Sequence, residues 1–339
     1  MKRHAAAILT FILCISLVLV GCGTQSSNGN NKETTKNSGD GSSYSYKTKK
    51  EGDIVIGFSQ SVMDHPFRIA NVESAKKAAK ELGVELIVTD GQGDVNKEIS
   101  NIESLIARNV DAIIVSSLSG KAIYPAYKQI AQAEIPLIIG ASGVPDDPEI
   151  PYVSYVATDE VTMGKKAAEY IAKLMGEEGN LVILDGVTES TNSILRSEGF
   201  MPEIEKYSNI KVVAQQSGEW LRLPSMEVMT NILQANDKID VVFAQNDEMA
   251  FGAIEAIKKA GRSDEVKIIG MDAQKEALEM IKNTDQYVMS VKNEWDMETA
   301  VKLAIDAVRG KEVPKSVELE APLIDDSNIA DFYDPESVF

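Results

Sequence analysis

From Asp53 onward, short apolar runs alternate with stretches in which apolar residues return every three or four positions. The clearest instance spans Val241 to Asp272. Val241, Val242 and Phe243 form a run that stops at Gln245-Asn246-Asp247. Met249, Ile254 and Ile257 then share one helical stripe that Gly261 ends, and Val266 to Met271 repeat the run and finish on Asp272. A buried strand reads as a continuous apolar run, whereas a helix places one face every three or four residues. Two such runs joined by a helix predict a βαβ unit with parallel strands. In open sheets of this kind, ligands bind beyond the carboxyl ends of the strands, where Asn246 and Asp272 fall. An amide and a carboxylate placed side by side both accept and donate toward a hydroxylated small molecule.

The same alternation predicts strands at Ile54–Phe58, Val84–Val88, Ala112–Val115 and Pro136–Ile139, with helices after the first three. It begins again after Val153–Val156. Helices are predicted near Val161–Met175, Asn192–Tyr207 and Pro224–Leu233, and strands at Leu181–Leu184 and Ile210–Ala214. Strict alternation predicts an α/β protein of two doubly wound parallel-sheet lobes. The tail adds a strand at Tyr287–Val291, a helix from Met297 to Val308 and a strand at Val317–Leu319; the late elements that find no room in the second sheet are expected to cross back to the first lobe. The expected division is 53–158 with 294–320 for one lobe and 159–293 with 321–339 for the other, joined by a hinge around a cleft.

The first 52 residues follow a different pattern. A basic start, Met1-Lys2-Arg3-His4, precedes an apolar run from Ala5 to Val20, the form of a signal peptide over residues 1–21. The run is on the short side for a membrane span, which needs about 20 apolar residues. Residues 22–52 are rich in Ser, Asn, Gly, Lys and Thr and are expected to form a flexible tether.

Composition narrows the chemistry. A chain of 339 residues accommodates two domains, and 44% hydrophobic with 25% charged residues is a globular balance. The net charge of −18 argues against a nucleic-acid partner, because that affinity comes largely from Lys and Arg contacts to phosphate. Both cysteines, Cys14 and Cys22, lie within the first 22 residues, so the remainder has no disulfide pair. His65 is the only histidine after His4, which speaks against a zinc site or a Ser-His-Asp triad. Gly91-Gln92-Gly93 lacks the third glycine of a dinucleotide fingerprint, and Ser119-Gly120-Lys121 lacks the first glycine of a P-loop. Asp146-Asp147-Pro148-Glu149 reads as an acidic turn rather than a calcium loop. No cofactor, metal or catalytic residue is expected.

The run AQNDEMAFGAIEAIKKAG followed by IIGMD resembles the ribose- and galactose-type sugar-binding branch of the periplasmic binding proteins, the substrate-binding lipoproteins of ABC importers. The resemblance spans roughly Ile54 to Ala321. It implies a type I periplasmic binding fold, a sugar-like ligand, an ABC permease as partner and a monomeric, non-enzymatic protein. Leu19-Val20-Gly21-Cys22 resembles the bacterial lipobox, which implies cleavage before Cys22 and a lipid on its thiol at the outer face of the membrane. The segment SQSVMDHPFR reads as a strand-to-helix loop at the cleft edge, which makes Ser59 and Asp64 candidates, Asp64 at the helix N-terminus; there the resemblance implies His65, Pro66 and the stacking aromatic Phe67 at the ligand, with Arg68 where another aromatic often stands. The arginine makes this loop most similar to galactofuranose-type binders. Arg196, three residues before Gly199-Phe200, matches the family's ligand arginine; Trp220 matches a second aromatic, and Asn293 a hinge-side amide. An arginine suits the role because its planar fork grips two ring oxygens.

Two departures bear on the ligand. Where the family commonly has Asp-Arg after the fourth strand, this chain has Gly140-Ala141-Ser142, which leaves Ser142 as the candidate contact. Glu160 stands where an asparagine is common. An altered sugar, a polyol and a positively charged ligand all remain open at this point, as does a ligand-sensing receptor of the same fold in place of an importer component.

Overall fold

The computed structural model describes residues 33–36, 45–142, 147–337 and 339. The expected leader over residues 1–21, the lipidation site Cys22 and Asp146 of the acidic turn lie outside the described residues. No helix among the described residues is long and apolar enough to cross a membrane.

The described chain begins with β1 (Glu33–Lys36), paired antiparallel with β2 (Ser45–Thr48). The expected tether to residue 52 is therefore corrected. Tyr46 is 2% exposed and belongs to the first sheet's core, and the Lys47 and Lys49 amides donate to the Glu134 and Val308 carbonyls. A single tyrosine in a polar stretch carries no periodic signal, so only its docking identifies it as core.

The predicted alternation then follows: β3 (Val55–Gln60), α1 (Pro66–Glu81), β4 (Glu85–Asp90), α2 (Val95–Ala107), β5 (Ala112–Ser116), α3 (Tyr124–Gln132), β6 (Leu137–Gly140) and β7 (Ser154–Thr158). The second set comprises α4 (Glu160–Leu174), β8 (Glu178–Asp185), α5 (Thr191–Ile204), β9 (Asn209–Ser217), α6 (Arg222–Ala235), β10 (Val241–Ala244), α7 (Asp247–Lys259), β11 (Lys267–Asp272), α8 (Lys275–Asn283) and β12 (Tyr287–Lys292). The tail supplies α9 (Glu298–Val308), β13 (Ser316–Leu319) and β14 (Leu323–Asp325). The strands form two six-stranded sheets, ordered β13-β7-β6-β5-β3-β4 and β14-β12-β11-β10-β8-β9, parallel except for the β12–β14 pair.

Both faces of each sheet are buried, which explains the unbroken apolar runs. In β5, Ile114 faces the cluster under α1 and α9, while Ile113 and Val115 face the cluster under α2 and α3. In β8, Val182 and Leu184 pack toward α6 and α7, and Leu181 and Ile183 toward α4 and α5. The sequence reading missed α8 and β14. The buried stripe of α8, Ala277, Leu278 and Ile281, is too short to stand out, and β14 has three residues.

The chain passes between the sheets at residues 158–160, 292–298 and 319–323. Helix α9 and β13 pack with the first sheet, and β14 joins the second. The final residue departs from the expected division: Phe339 packs with the first sheet's core, 5.7 Å from the ring of Phe67 and 6.0 Å from that of Trp295.

Candidate functional site

The loops that follow the strands, and the helix starts they lead into, face one another across a cleft. A cavity of about 730 Å3 lies there. Its wall includes Asp64, His65, Phe67 and Arg68 from the β3–α1 loop, Arg196 from α5, Trp220 from the β9–α6 loop, and Asn246, Asp272 and Asn293 from the ends of β10, β11 and β12. Ser59, Ser142 and Glu160 are buried but do not line it.

Two of the cavity residues are helix caps. The His65 ring accepts from the Phe67 amide at 3.2 Å with Pro66 in the first turn of α1, and Asn246 accepts from the Met249 amide at 2.9 Å. A side-chain acceptor satisfies an amide that the helix leaves unpaired. The cap of α1 is His65, one residue beyond Asp64, which is exposed at the mouth.

Arg196 reaches the cavity because α4 and α5 pack at glycine contacts. A side-chain carbon on Gly164 would sit 2.0 Å from the Arg196 carbonyl, and one on Gly199 would sit 1.9 Å from that of Val161. Close backbone approach at these points brings Glu160, the first residue of α4, onto the Arg196 side chain at 2.6 Å. The guanidinium also donates to the Gln245 carbonyl and lies 3.7 Å from Asp272. Burial alone would lower the Arg196 pKa, but the charges of Glu160 and Asp272 outweigh it and hold it above its ordinary value. The other Glu160 oxygen accepts from the Asn192 amide. Glu160 thus orients two cavity residues without reaching the cavity itself.

Asp272 is presented by an unusual backbone, with φ of 108° there and 57° at Ala273. Asp247 holds this turn. One of its oxygens accepts from Gln274 N at 2.7 Å, and the other from the hydroxyls of Tyr287 at 2.6 Å and Ser290 at 2.8 Å. Ser290 in turn accepts from Ala273 N at 3.0 Å. Burial raises the Asp247 carboxyl well above the usual range, and the neighbouring Asp272 adds to the shift. Burial likewise pushes Asp272 up to about 7, against the pull of Arg196 and a 3.3 Å hydrogen bond from Asn293.

On the first-lobe wall, Arg68 donates to Ser116 Oγ and to the Ala141 carbonyl at 3.0 Å, and its guanidinium lies over the Phe67 ring at 5.5 Å. Burial pulls its pKa down to about 10. The Gly140-Ala141-Ser142 segment therefore contributes through the backbone carbonyl of Ala141, a residue with a positive φ of 50°; the Ser142 hydroxyl turns back to the Gly140 carbonyl at 3.4 Å. Phe67 is 5% exposed, its ring edge-on to Phe339. The Trp220 indole lies directly over Gly186, where a side-chain carbon would come within 2.0 Å of the ring, and 5.2 Å from the Arg196 guanidinium.

Sequence reasoning missed Ser61, Asn192, Gln245 and Asp247. Gln245 and Asp247 flank the selected Asn246, so position was an available signal. Gln245 cross-links Gly186 N, Ser193 and Ser197 and is nearly inaccessible.

Two α/β sheets, repeated chain crossings and a polar cleft at the strand ends define a two-lobed solute-binding protein. Residues 56–312 match the periplasmic binding protein domain, and the chain belongs to that family. It is 31% identical over 332 residues to a ribose import binding protein of Bacillus subtilis, covering 95% of this chain and 98% of that one. It is 32% identical over 212 residues to a galactofuranose-binding protein of Escherichia coli, covering 61% and 67%. Among solved structures, an ABC transporter solute-binding protein of Bacillus halodurans with bound myo-inositol is 32% identical at a TM-score of 0.79, covering 83% and 98%. The fructose-binding periplasmic domain of a hybrid two-component system is 27% identical at 0.77, covering 83% and 93%.

Proposed function

We propose that this protein captures a neutral sugar or polyol between its two lobes and delivers it to an ABC importer. One observation carries the reading: the buried side chains of Arg68 from the first lobe and of Arg196, Asn246, Asp272 and Asn293 line one cavity. Donors and acceptors set around a cleft match vicinal hydroxyls, each of which donates and accepts. The ion pair with Arg196 answers the charge of Glu160, so that carboxylate no longer argues for a cationic ligand. Binding and release need no activated nucleophile, and the protein acts without catalysing a reaction. The ribose and galactofuranose relatives and the inositol-bound structure support the same ligand class.

The lobes of this reading are the two sheets with their helices, the first taking in Ser45–Lys50 and Phe339 as well. The chain works as a monomer on the outer face of the membrane, held by a lipid on Cys22. A Cys22→Ala variant then appears in the soluble fraction rather than with membranes.

The test is a thermal-shift screen of the full chain against pentoses, hexoses, furanosides, polyols and amines, since a ligand that binds only the folded state raises the melting temperature. A shift with a neutral sugar or polyol is expected; a response to amines alone overturns the reading. The similarity to a two-component sensor domain supports a second role, ligand sensing. Loss of the protein abolishes uptake of labelled ligand if it serves an importer, and leaves uptake intact if it serves a sensor.

A further inference from the structure

We propose that Phe339 is a positioning residue for the cleft: it backs the cavity-lining ring of Phe67, and the strap that carries it, residues 326–339, ties that ring to the second lobe. Lobe closure and presentation of the aromatic are thereby coupled. The inference needs only two lobes that move about a hinge, and holds whichever solute the cleft takes.

The strap starts in the second lobe. After β14, Asp325 N donates to Asn328 Oδ1 at 3.0 Å, and Asn328 Nδ2 to the Leu323 carbonyl at 2.8 Å. A short 3-10 turn follows, Ile329–Asp331, with Ile329 buried in the second lobe's core and Phe332 and Tyr333 packed against it. Three contacts then pin the segment to α8. The Tyr333 hydroxyl donates to Glu279 at 3.1 Å, Lys282 Nζ lies 4.8 Å from the centre of the Tyr333 ring, and Lys275 Nζ donates to the Pro335 carbonyl. Steps of four and three residues put Lys275, Glu279 and Lys282 on one face of the helix.

The other end lies in the first lobe. A turn redirects the chain: the Asp334 side chain accepts from Glu336 N at 2.9 Å and its carbonyl from Ser337 N at 3.1 Å. The Ser337 hydroxyl accepts from Phe339 N at 3.3 Å and donates to the Phe339 main-chain oxygen at 2.6 Å. The Phe339 ring is then buried edge-on to Phe67, at 5.7 Å, and tilted against Trp295, at 6.0 Å. Both separations fall where aromatic pairs attract. Phe67 lines the cavity, whereas Phe339 and Trp295 do not reach it. Trp295 belongs to the crossing at 292–298, and its carbonyl accepts from Asn71 of α1 at 2.7 Å. The Phe339 ring thus stands between the aromatic wall of the cavity and a hinge crossing.

Residues 326–339 pair with no strand, so neither sheet accounts for this further passage between the lobes. Only five residues separate Tyr333, held by α8, from Phe339, held beside α1. Rotation about the hinge moves one anchor against the other. It has to unwind the 334–337 turn or shift the ring in its seat, and Phe67 then loses its backing. The ring is seated in the arrangement in which His65 and Asn246 meet across the cleft at 2.9 Å. A seated Phe339 therefore favours the closed lobes.

The experiment compares Phe339→Ala, Phe339→Leu and Tyr333→Ala in the full chain. Trp220 and Trp295 are its two tryptophans, so a Trp220→Phe background leaves Trp295 as the reporter of the seat. Without added sugar, both alanine variants should shift Trp295 emission to longer wavelength and enlarge the radius of gyration in X-ray scattering. Phe339→Leu, which keeps an apolar group in the seat, should stay near the parent. With Trp220 restored, ribose, galactose and myo-inositol are titrated. Whichever binds the parent chain should bind each alanine variant about tenfold more weakly, the scale of losing one buried ring. The double variant should be no weaker than Phe339→Ala alone, because one strap carries both residues. A Phe339→Ala protein that melts lower but keeps radius and affinity overturns the proposal and makes the ring a core residue only. Effects of Phe339→Ala that Tyr333→Ala does not share overturn the strap. Tyr333 is half-buried, so its variant decides the matter if Phe339→Ala does not fold. If no probe binds the parent chain, the sugar reading fails separately, and emission and scattering still decide this one.

Discussion

His65 of the first lobe and Asn246 of the second meet across the cleft, Nε2 to Nδ2 at 2.9 Å, in an arrangement that suits only an uncharged imidazole. The Asn246 oxygen accepts from Met249 N, so its amide nitrogen faces the ring and also donates to the Trp220 carbonyl at 3.1 Å. On the other side of the ring, Nδ1 accepts from Phe67 N. Donors thus approach both ring nitrogens. A neutral imidazole has one acceptor nitrogen and its cation has none. Burial first, and then the charge of Arg68, push the His65 pKa down to about 3.

Closure should therefore depend on pH through His65. The closed form excludes the proton, so this stabilisation is fully present above about 6.5 and is lost as pH falls toward about 3. Asp272, raised to about 7, acts in the opposite sense: its contribution is present at low pH and lost as pH rises through 7. The ratio of ligand affinities of the wild type and His65→Gln isolates the histidine. That ratio should be flat above pH 7 and fall by up to about tenfold per unit below 6.5. A ratio independent of pH from 4 to 8 would remove His65 from the closure equilibrium.

Glu160→Gln tests the buried ion pair. The substitution keeps the side-chain shape but leaves the Arg196 charge with Asp272 alone, at 3.7 Å. Breaking one partner of a fully buried pair costs about 3 kcal/mol in stability. Denaturant unfolding should show that loss, together with weaker ligand binding. An unchanged midpoint would mean that the pair contributes nothing.

Asp247→Asn should weaken binding without touching the ligand. The new amide nitrogen confronts either the Gln274 amide or the Tyr287 and Ser290 hydroxyls, and the 272–274 turn loses an anchor. An unsatisfied buried contact costs roughly 1–3 kcal/mol, equivalent to about 5- to 150-fold in affinity if the turn bears it. Calorimetric titration reads the affinity, and melting separates it from global unfolding. Unaltered affinity in a destabilised protein would make Asp247 a purely structural residue.

Gly164→Ala introduces a methyl group 2.0 Å from the Arg196 carbonyl. Helix α5 has to move away from α4, at a cost of about 1–3 kcal/mol for overpacking, and Arg196 moves with it. Both the melting temperature and the affinity should drop; a variant that melts and binds as the wild type would contradict the close contact.

Tyr46→Ala distinguishes a docked segment from a tether. Truncating a buried aromatic costs roughly 3 kcal/mol, so a melting temperature several degrees lower is expected. A freely moving tether would show no change.

The alternation of strands and helices was legible because both faces of each sheet are covered, so Ala112 to Val115 of β5 and Leu181 to Leu184 of β8 are apolar at every position while their helices keep one stripe. Asn246 and Asp272 were legible for the same reason: the residue after a buried run is where the strand ends and the cleft begins. His65, Phe67, Arg68, Arg196, Trp220 and Asn293 were singled out by the spacing and motifs of a resembling family, and the fold brings all of them to the cavity wall. Other features depend on contacts between segments far apart in the chain, which no local periodicity encodes. The pairing of Glu160 with Arg196 needs α4 and α5 to cross at Gly164 and Gly199; the support of Asp272 needs Asp247 at the start of α7 and Ser290 on β12; and the placing of Tyr46 and Phe339 in one core needs segments nearly 300 residues apart to close on the first sheet. Local pattern records which side of an element is buried, and only the packed structure decides which neighbour buries it.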